Sequence, residues 1–372
     1  MMRTFVTLSA LLITACEPGA ESRPESVSVA VTALKEFPAL SEGDVTIAES
    51  YEGGWIIGEE QTGTLLRLDA GGAIVWKSAG RGRGPGELLS LRQVRSAPNV
   101  ISVLDARQRK VVRFGSGDGR LLGDIPVGLA AQAPGASVVG ILPDARWLLR
   151  NTGSDYRSRT GAVRPLVALS IMDTTGTSVA VGSYRESELL RDVQDTRSVE
   201  LFRPLGRRSG VAITGHAVYA FDGDTLFAFT QNGAAVSRMI VALPPEVGVM
   251  RMDANTLRWG EQQLLASGPM SDAFAELYRR YPPPDTPPTW GAGGPSAAPP
   301  ILASPGGSIF LRRFTADGPE EWWRRSRAGE WTRLRFPAAK EVLAFSDSTA
   351  LVRSTRDDGI AVEELLFRAT VR

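Results

Sequence analysis

One cysteine, Cys16, and one histidine, His216, occur in 372 residues, and that scarcity decides most of the chemistry open to the chain. A zinc site of the usual kind draws on several Cys and His ligands, and a disulfide needs two thiols. Both are excluded within one chain. His216 stands before the β-type run Ala217-Val-Tyr-Ala-Phe221 and would act as a general base only beside a nucleophile. Ser170 and Ser209 lack a Gly-x-Ser-x-Gly frame. Hard cations need several converging oxygens, so the acids that matter are Asp105, Asp222, Asp224, Glu320, Glu321, Asp357 and Asp358. All lie at strand ends or turns, where Asp serves local backbone hydrogen bonds. No spacing singles out a ligand set, and neither a catalytic residue, a metal nor a cofactor is expected.

Two other constellations invite a binding role. In Gly80-Arg-Gly-Arg-Gly-Pro-Gly-Glu87, clustered backbone N–H groups with Arg81 and Arg83 have the makings of an anion nest. Pro85 replaces the third glycine of a dinucleotide fingerprint, no βαβ unit surrounds the loop, and no Gly-Lys-Ser/Thr follows. The plainer reading is a turn whose glycines permit positive φ, with Glu87 tying down the next unit. Trp322-Trp-Arg-Arg325, with Trp331 close by, interleaves rings and cations as a platform for sugar or peptide would. Packing accounts for it more simply: one ring lies between sheets while its neighbour faces outward. Trp290 stands alone in a Pro/Gly run, an anchor for a partner or a ring folded back on the body. Arg81, Arg83, Trp290, Trp322 and Trp323 are thus the candidate partner-binding residues. Lys plus Arg number 42 against 41 Asp plus Glu, a net charge of +1. So balanced a chain has no global footprint for nucleic acid.

The first fifteen residues read as an address. Arg3 supplies a positive start, and Phe5 to Ile13 form an apolar run too short to span a bilayer. Ile13-Thr-Ala-Cys16 resembles the bacterial lipobox, which implies that Cys16 is lipidated and becomes the mature first residue. Several acyl chains, at about 0.8 kcal/mol per buried methylene, anchor durably without a membrane helix. Residues 16–25 are polar and Pro-containing, a flexible tether. Glu17 departs from the Asp of the enteric inner-membrane retention signal, so the expected location is the outer membrane, facing the periplasm.

Short apolar runs separated by Asp, Asn and Gly turns then recur, the pattern of antiparallel meanders. Gly72, Gly119, Gly176 and Gly233 sit in equivalent turns at spacings of 47, 57 and 57 residues, the signature of propeller blades. Polar Asn151 to Arg164 predicts a protruding loop in the third meander. Residues 249–300 interrupt the pattern: Arg251 to Tyr281 has helical spacing broken at Gly268-Pro269, and a Pro/Gly/Ala run follows. The sixth meander ends one strand short. Alternating Ser26 to Leu34 has no nearby partner and is expected to complete it, since an unclosed ring leaves an aggregation-prone edge.

Gly82-Arg-Gly-Pro-Gly-Glu87, Ile101-Ser-Val-Leu-Asp105 and Val112-Arg-Phe114 resemble bacterial six-bladed β-propeller lipoproteins related to NHL-repeat proteins. The likeness is strong over residues 50–125 and near 216–240 and weak elsewhere. It implies an all-β, six-bladed propeller over residues 26–372, with four-stranded blades and the 249–300 insertion between blades four and five, behind a signal peptide at 1–15. It also implies a cell-envelope location. The expected function is a non-catalytic binding or scaffold module for an envelope protein or glycan. A calcium-dependent, lactonase-like hydrolase with a site in the central channel is the alternative, and a purely structural envelope component a second.

Overall fold

The computed structural model describes residues 27–37, 40, 45–127, 136–144, 146–194, 197–203, 205–232, 235–244, 276–277, 279–282, 299–313, 321–337, 340–356 and 359–367. Apart from β1 (Val27–Glu36), the described chain runs as a succession of meanders. The first sheet contains β2 (Val45–Tyr51), β3 (Gly54–Glu59), β4 (Thr64–Leu68) and β5 (Ile74–Lys77). The second contains β6 (Leu91–Ala97), β7 (Val100–Asp105), β8 (Lys110–Gly115) and β9 (Leu121–Pro126). In the third, β10 (Ala136–Ile141) and β11 (Trp147–Thr152) are followed by an excursion through β12 (Gly161–Val163). The sheet then resumes with β13 (Leu166–Met172) and β14 (Ser178–Arg185). Next come β15 (Leu189–Gln194) and β16 (Arg197–Phe202), which join β12 in a separate three-stranded sheet. The fourth meander is β17 (Gly210–Ile213), β18 (Val218–Phe221), β19 (Leu226–Asn232) and β20 (Ala235–Val241).

The last strands form one eight-stranded sheet. Its halves are β21 (Ile301–Ala303), β22 (Ile309–Arg313), β23 (Glu321–Arg325), β24 (Trp331–Arg335), and β25 (Lys340–Phe345), β26 (Thr349–Arg356), β27 (Gly359–Phe367). β1 lies between β24 and β27. Its second half pairs antiparallel with β27, Val31 opposite Phe367 and Ala33 opposite Leu365. The strand at the start of the chain therefore does supply the missing strand at its end. It does one thing more than expected: Val27 to Ala30 pair parallel with Thr332 to Arg335 of β24. The strand stitches two neighbouring sheets.

The first strands of successive meanders adjoin one another in turn: β2 with β6, β6 with β10, β10 with β17, β17 with β21, β21 with β25, and β25 with β2. Apolar cores lie between the same consecutive sheets. Trp55, Ile57 and Leu66 pack on Leu351 and Val362, while Ile56 and Leu65 face Leu91, Ile101 and Val103 of the second sheet. Consecutive residues of β3 thus serve two cores, as a period of two dictates, and every residue of the strand is buried. Between the fifth and sixth units Phe345 stacks on Phe310 at 3.8 Å and meets Trp322 edge-on. This all-β series of packed four-stranded meanders is consistent with a β-propeller. The turn glycines that mark the repeat adopt positive φ: 85° at Gly72, 68° at Gly119 and 90° at Gly176. Gly233 lies outside the described residues.

Two expectations change. The polar segment Asn151 to Arg164 is not simply a loop: Gly161–Val163 forms β12, paired with Leu189–Arg191 of β15. Of the expected helix over 251–281, only 276–277 and 279–281 are described, helical as far as 280; residue 282 is described as well, and the rest of the insertion up to residue 298 lies outside the described residues. No helix among the described residues is long and apolar enough to cross a membrane.

Removing residues 27–36 exposes the unpaired edges of β24 and β27. The shortened chain is expected to melt at a markedly lower temperature and to elute as aggregates, measured by circular dichroism and size-exclusion chromatography. An unchanged Tm and a monomeric profile would contradict the stitching role.

Candidate functional site

The innermost strands enclose a cavity of about 260 Å³, lined by residues of β2, β6, β10, β17, β21 and β25. Three of its charged groups, Glu49, Arg95 and Glu341, are held in place by bonds to their neighbours. Arg95 Nη1 lies 3.2 Å from Glu49 Oε2, and Nη2 donates to the Ile213 carbonyl at 3.2 Å. The other oxygen of Glu49 accepts from Ser96 N at 2.7 Å and Ser96 Oγ at 2.6 Å. Glu341 accepts from Arg353 Nη2 at 2.7 Å, and Arg353 Nη1 donates to the Val45 carbonyl. Gln93 Oε1 accepts from Ile141 N at 2.6 Å. The Glu341–Arg353 pair lies within one sheet; the other bonds cross between sheets and fix one against another. Among the described residues no three His, Cys, Asp or Glu side chains stand together as a metal site.

The glycine-rich loop is filled by its own side chain. Glu87 Oε2 accepts from Gly84 N at 2.6 Å, and a methyl group on Gly82 would fall 1.9 Å from that carboxylate. An external anion would have to displace it. Gln108 Nε2 donates to the carbonyls of Gly82 and Glu87 at 3.1 and 3.0 Å, and to Asp105 at 2.8 Å. Asp105 is fully buried and also accepts from the backbone N–H groups of Leu89, Arg107 and Gln108. Arg81 Nη1 donates to the Glu60 carbonyl at 3.0 Å; Arg83 is exposed. The loop is a braced turn between the first and second sheets.

The tryptophan pair does not form a surface platform. Trp322 and Trp323 are both 0% exposed, and neither faces outward. Being adjacent on β23, they point to opposite faces of the sheet. Trp322 enters the core against the sixth unit, Trp323 the core against the fourth. Trp331 is partly buried and donates to the Ala242 carbonyl at 3.0 Å. Glu321 sits beneath the arginines of this sheet, bonded to Arg313, Arg333 and the Trp323 indole. Burial pushes its pKa up, but the hydrogen bonds from Arg333, Arg313 and Trp323 outweigh it and hold the carboxyl below its ordinary range.

The remaining candidates fall apart in space. Asp222 caps its turn by accepting from Thr225 N at 2.9 Å; burial, and then the neighbouring Asp224, raise its pKa. Asp224 pairs with Arg207 at 3.0 Å. His216 is exposed beside Asp144, Arg146 and Thr214 at a cavity of about 140 Å³ floored by Ile171 and Phe229. Ser209, which bonds Ser187, lies at the opposite end of β17 from His216, and Ser170 belongs to β13. Cys16, Trp290, Glu320, Asp357 and Asp358 lie outside the described residues. The axial cavity itself left no mark in the order of residue types, because its lining is drawn singly from six distant strands.

No protein family and no curated protein matches the sequence. Solved structures do align over nearly the whole chain. One is a Bacteroides fragilis protein described as exported, 11% identical with a TM-score of 0.49, covering 92% of this chain and 95% of its own. Another is a Bacteroides vulgatus protein of the DUF4221 family, 12% identical with a TM-score of 0.42, covering 92% and 99%. A third, virginiamycin B lyase from Staphylococcus aureus, is 9% identical with a TM-score of 0.40, covering 91% and 99%. At these identities and scores no activity is carried across.

Replacing Asp105 by Ala strands three part-buried backbone donors and an amide. Stability is expected to fall by about 3 kcal/mol, at roughly 1–3 kcal/mol for an unmet buried group partly offset by relaxation, as read from urea unfolding. Glu321→Gln tests the other carboxylate. A group whose folded pKa is depressed stabilises above its unfolded pKa and loses that contribution as pH falls through the folded value. The Tm gap between the native chain and Glu321→Gln is therefore expected to be wide at pH 7 and to close under acid conditions below the ordinary carboxylate range.

Proposed function

We propose that the chain is a six-bladed β-propeller, held at the cell envelope by lipid on Cys16, that serves as a non-catalytic docking or scaffold module for a protein or glycan. The six first strands around one cavity, joined in a closed cycle, support the blade count. β1 then completes the sixth blade.

The observation that carries the docking role is the concentration of extra structure at one end of the ring. In an antiparallel meander the middle turn and the link to the next sheet leave from the same end. β12 lies in the middle turn of the third blade, and β15 and β16 in the link to the fourth. Residues 276–282 lie in the link from fourth to fifth, and the glycine-rich loop in the link from first to second. The first three are fastened together. Arg280 reaches Asp192 of β15 at 3.7 Å, Arg203 donates to the Pro282 carbonyl at 2.7 Å, and the Tyr281 ring lies against Gly161 of β12. Variable elements on a rigid scaffold are where recognition is built. Phe202 at the end of β16 is 42% exposed, its ring 4.2 Å from the Arg208 guanidinium, whose pKa burial draws down to about 10. An exposed aromatic backed by a cation is a contact residue for a protein or sugar ring.

Affinity capture from envelope membranes tests the proposal. Phe202→Asp is expected to recover several-fold less of the partner than the native chain while melting at the same temperature; equal recovery would sink the assignment of this face. Cys16→Ser is expected to move the chain from the membrane to the soluble fraction, and its retention in the membrane would overturn the anchor.

A further inference from the structure

The innermost strands share an irregularity. In β2, β6, β10 and β25 the register against the next strand slips by one residue. The slips fall between Val45 and Ile47, Leu91 and Gln93, Val138 and Gly140, and Val342 and Ala344. The residues left out of pairing are Thr46, Arg92, Val139 and Leu343. A β-bulge re-aims the side chain of its extra residue, and bulges gather beside binding sites. All four of these side chains line the axial cavity, together with Val211 of β17 and Leu302 of β21. None of the six is fully buried.

The collar they form is chemically lopsided. Neighbouring strands β2 and β6 contribute a hydroxyl and a guanidinium, from Thr46 and Arg92. The other four strands contribute only hydrocarbon. Thr46 Oγ1 is shielded from solvent and meets no hydrogen-bond partner among the described residues. The other charges at the cavity are matched, Glu49 by Arg95 and Glu341 by Arg353. Arg92 brings the surplus: among the described residues no carboxylate pairs with it.

We propose that the axial cavity binds a small organic carboxylate. Its charged end lies on Arg92 and the Thr46 hydroxyl, and its hydrocarbon body lies against Val139, Val211, Leu302 and Leu343. A guanidinium offers a planar fork that fits a carboxylate with two parallel hydrogen bonds, and a threonine hydroxyl adds a donor. A cavity of about 260 Å³ lies just under the ~300–1,000 Å³ of sites for drug-sized ligands, which selects a ligand of a few carbons. A metal cation would meet the unmatched charge of Arg92 and be repelled. This inference rests on the ring of six inner strands proposed above, and on neither the lipid anchor nor the docking partner.

Sodium hexanoate is the probe, with hexylammonium as its charge-reversed counterpart and sodium acetate as the anion without a body. Each is titrated into the full chain by calorimetry and by thermal unfolding. Hexanoate is expected to bind and raise the Tm, acetate to bind at least tenfold more weakly, and hexylammonium to leave the Tm unmoved. Arg92→Gln is expected to weaken hexanoate at least tenfold, Arg92→Lys by less. Leu302→Trp, which fills the cavity from β21 across the ring from β6, is expected to block it with Arg92 intact. Equal affinity in Arg92→Gln and the native chain, or equal affinity for hexylammonium, would overturn the site. So would no binding of hexanoate to the natively folded chain. Loss of the site with a normal response to removal of residues 27–36 leaves the ring standing; loss of both removes the ring as well.

Discussion

The ladder between β1 and β27 is the constraint on which the other interfaces depend. Each sheet packs its two faces on its neighbours, so the series has no free face only if the last sheet meets the first. Ala344, Leu351 and Val362 reach Trp55 and Ile57 across that junction, and β1 holds the sheet that presents them. Because β1 also runs beside β24, two outer edges are covered by one strand. Hydrogen bonds along a strand are individually modest, about 1 kcal/mol net. Their value here lies in what they keep in register: the aromatic cluster around Phe345 and the apolar junction between the first and last sheets.

Most side chains that looked ready for chemistry are spent on this architecture. Asp105, Glu87 and Gln108 brace one link between sheets. Glu321 neutralises arginines that would otherwise crowd one another on the fifth sheet. Glu49 and Arg95 tie the first, second and fourth blades at the axis. A buried charge is costly unless paired and hydrogen-bonded, and Asp105, Glu49 and Glu321 each accept two or more bonds. The arrangement leaves Glu49, Arg95 and Glu341 occupied at the cavity, with the bulged residues among the rest of its lining.

Much of the fold was legible in the residues, because strands with a period of two and turn glycines are local signals. Trp55-Ile-Ile-Gly, the turn at Gly72 and the incomplete sixth meander each declared themselves within a few positions. The orphan strand could be matched to the deficit at the far end by counting alone. β15 and β16 gave no such signal: Arg191, Asp192, Gln194, Asp195 and Arg197 break the alternation, and those strands are held by pairing outside the meanders. The tryptophan pair was misjudged because alternation tells that neighbours point apart, not that both sides of a blade are interior. The cavity was hidden for a different reason. A bulge is a mismatch between two strands, and neither strand shows it by itself.

The stitching strand also bears on how such a chain matures. Val31 finds its partner in Phe367, so the earliest strand to emerge during synthesis waits for the latest. Contacts this distant in sequence form slowly, since loop closure must precede their reward. Until then the outer edges of the fifth and sixth sheets stay open, and an open edge is a template for mispairing. Under the envelope location proposed above, the delay is an advantage. The last two sheets are unable to lock early, and their assembly is deferred until Phe367 has arrived.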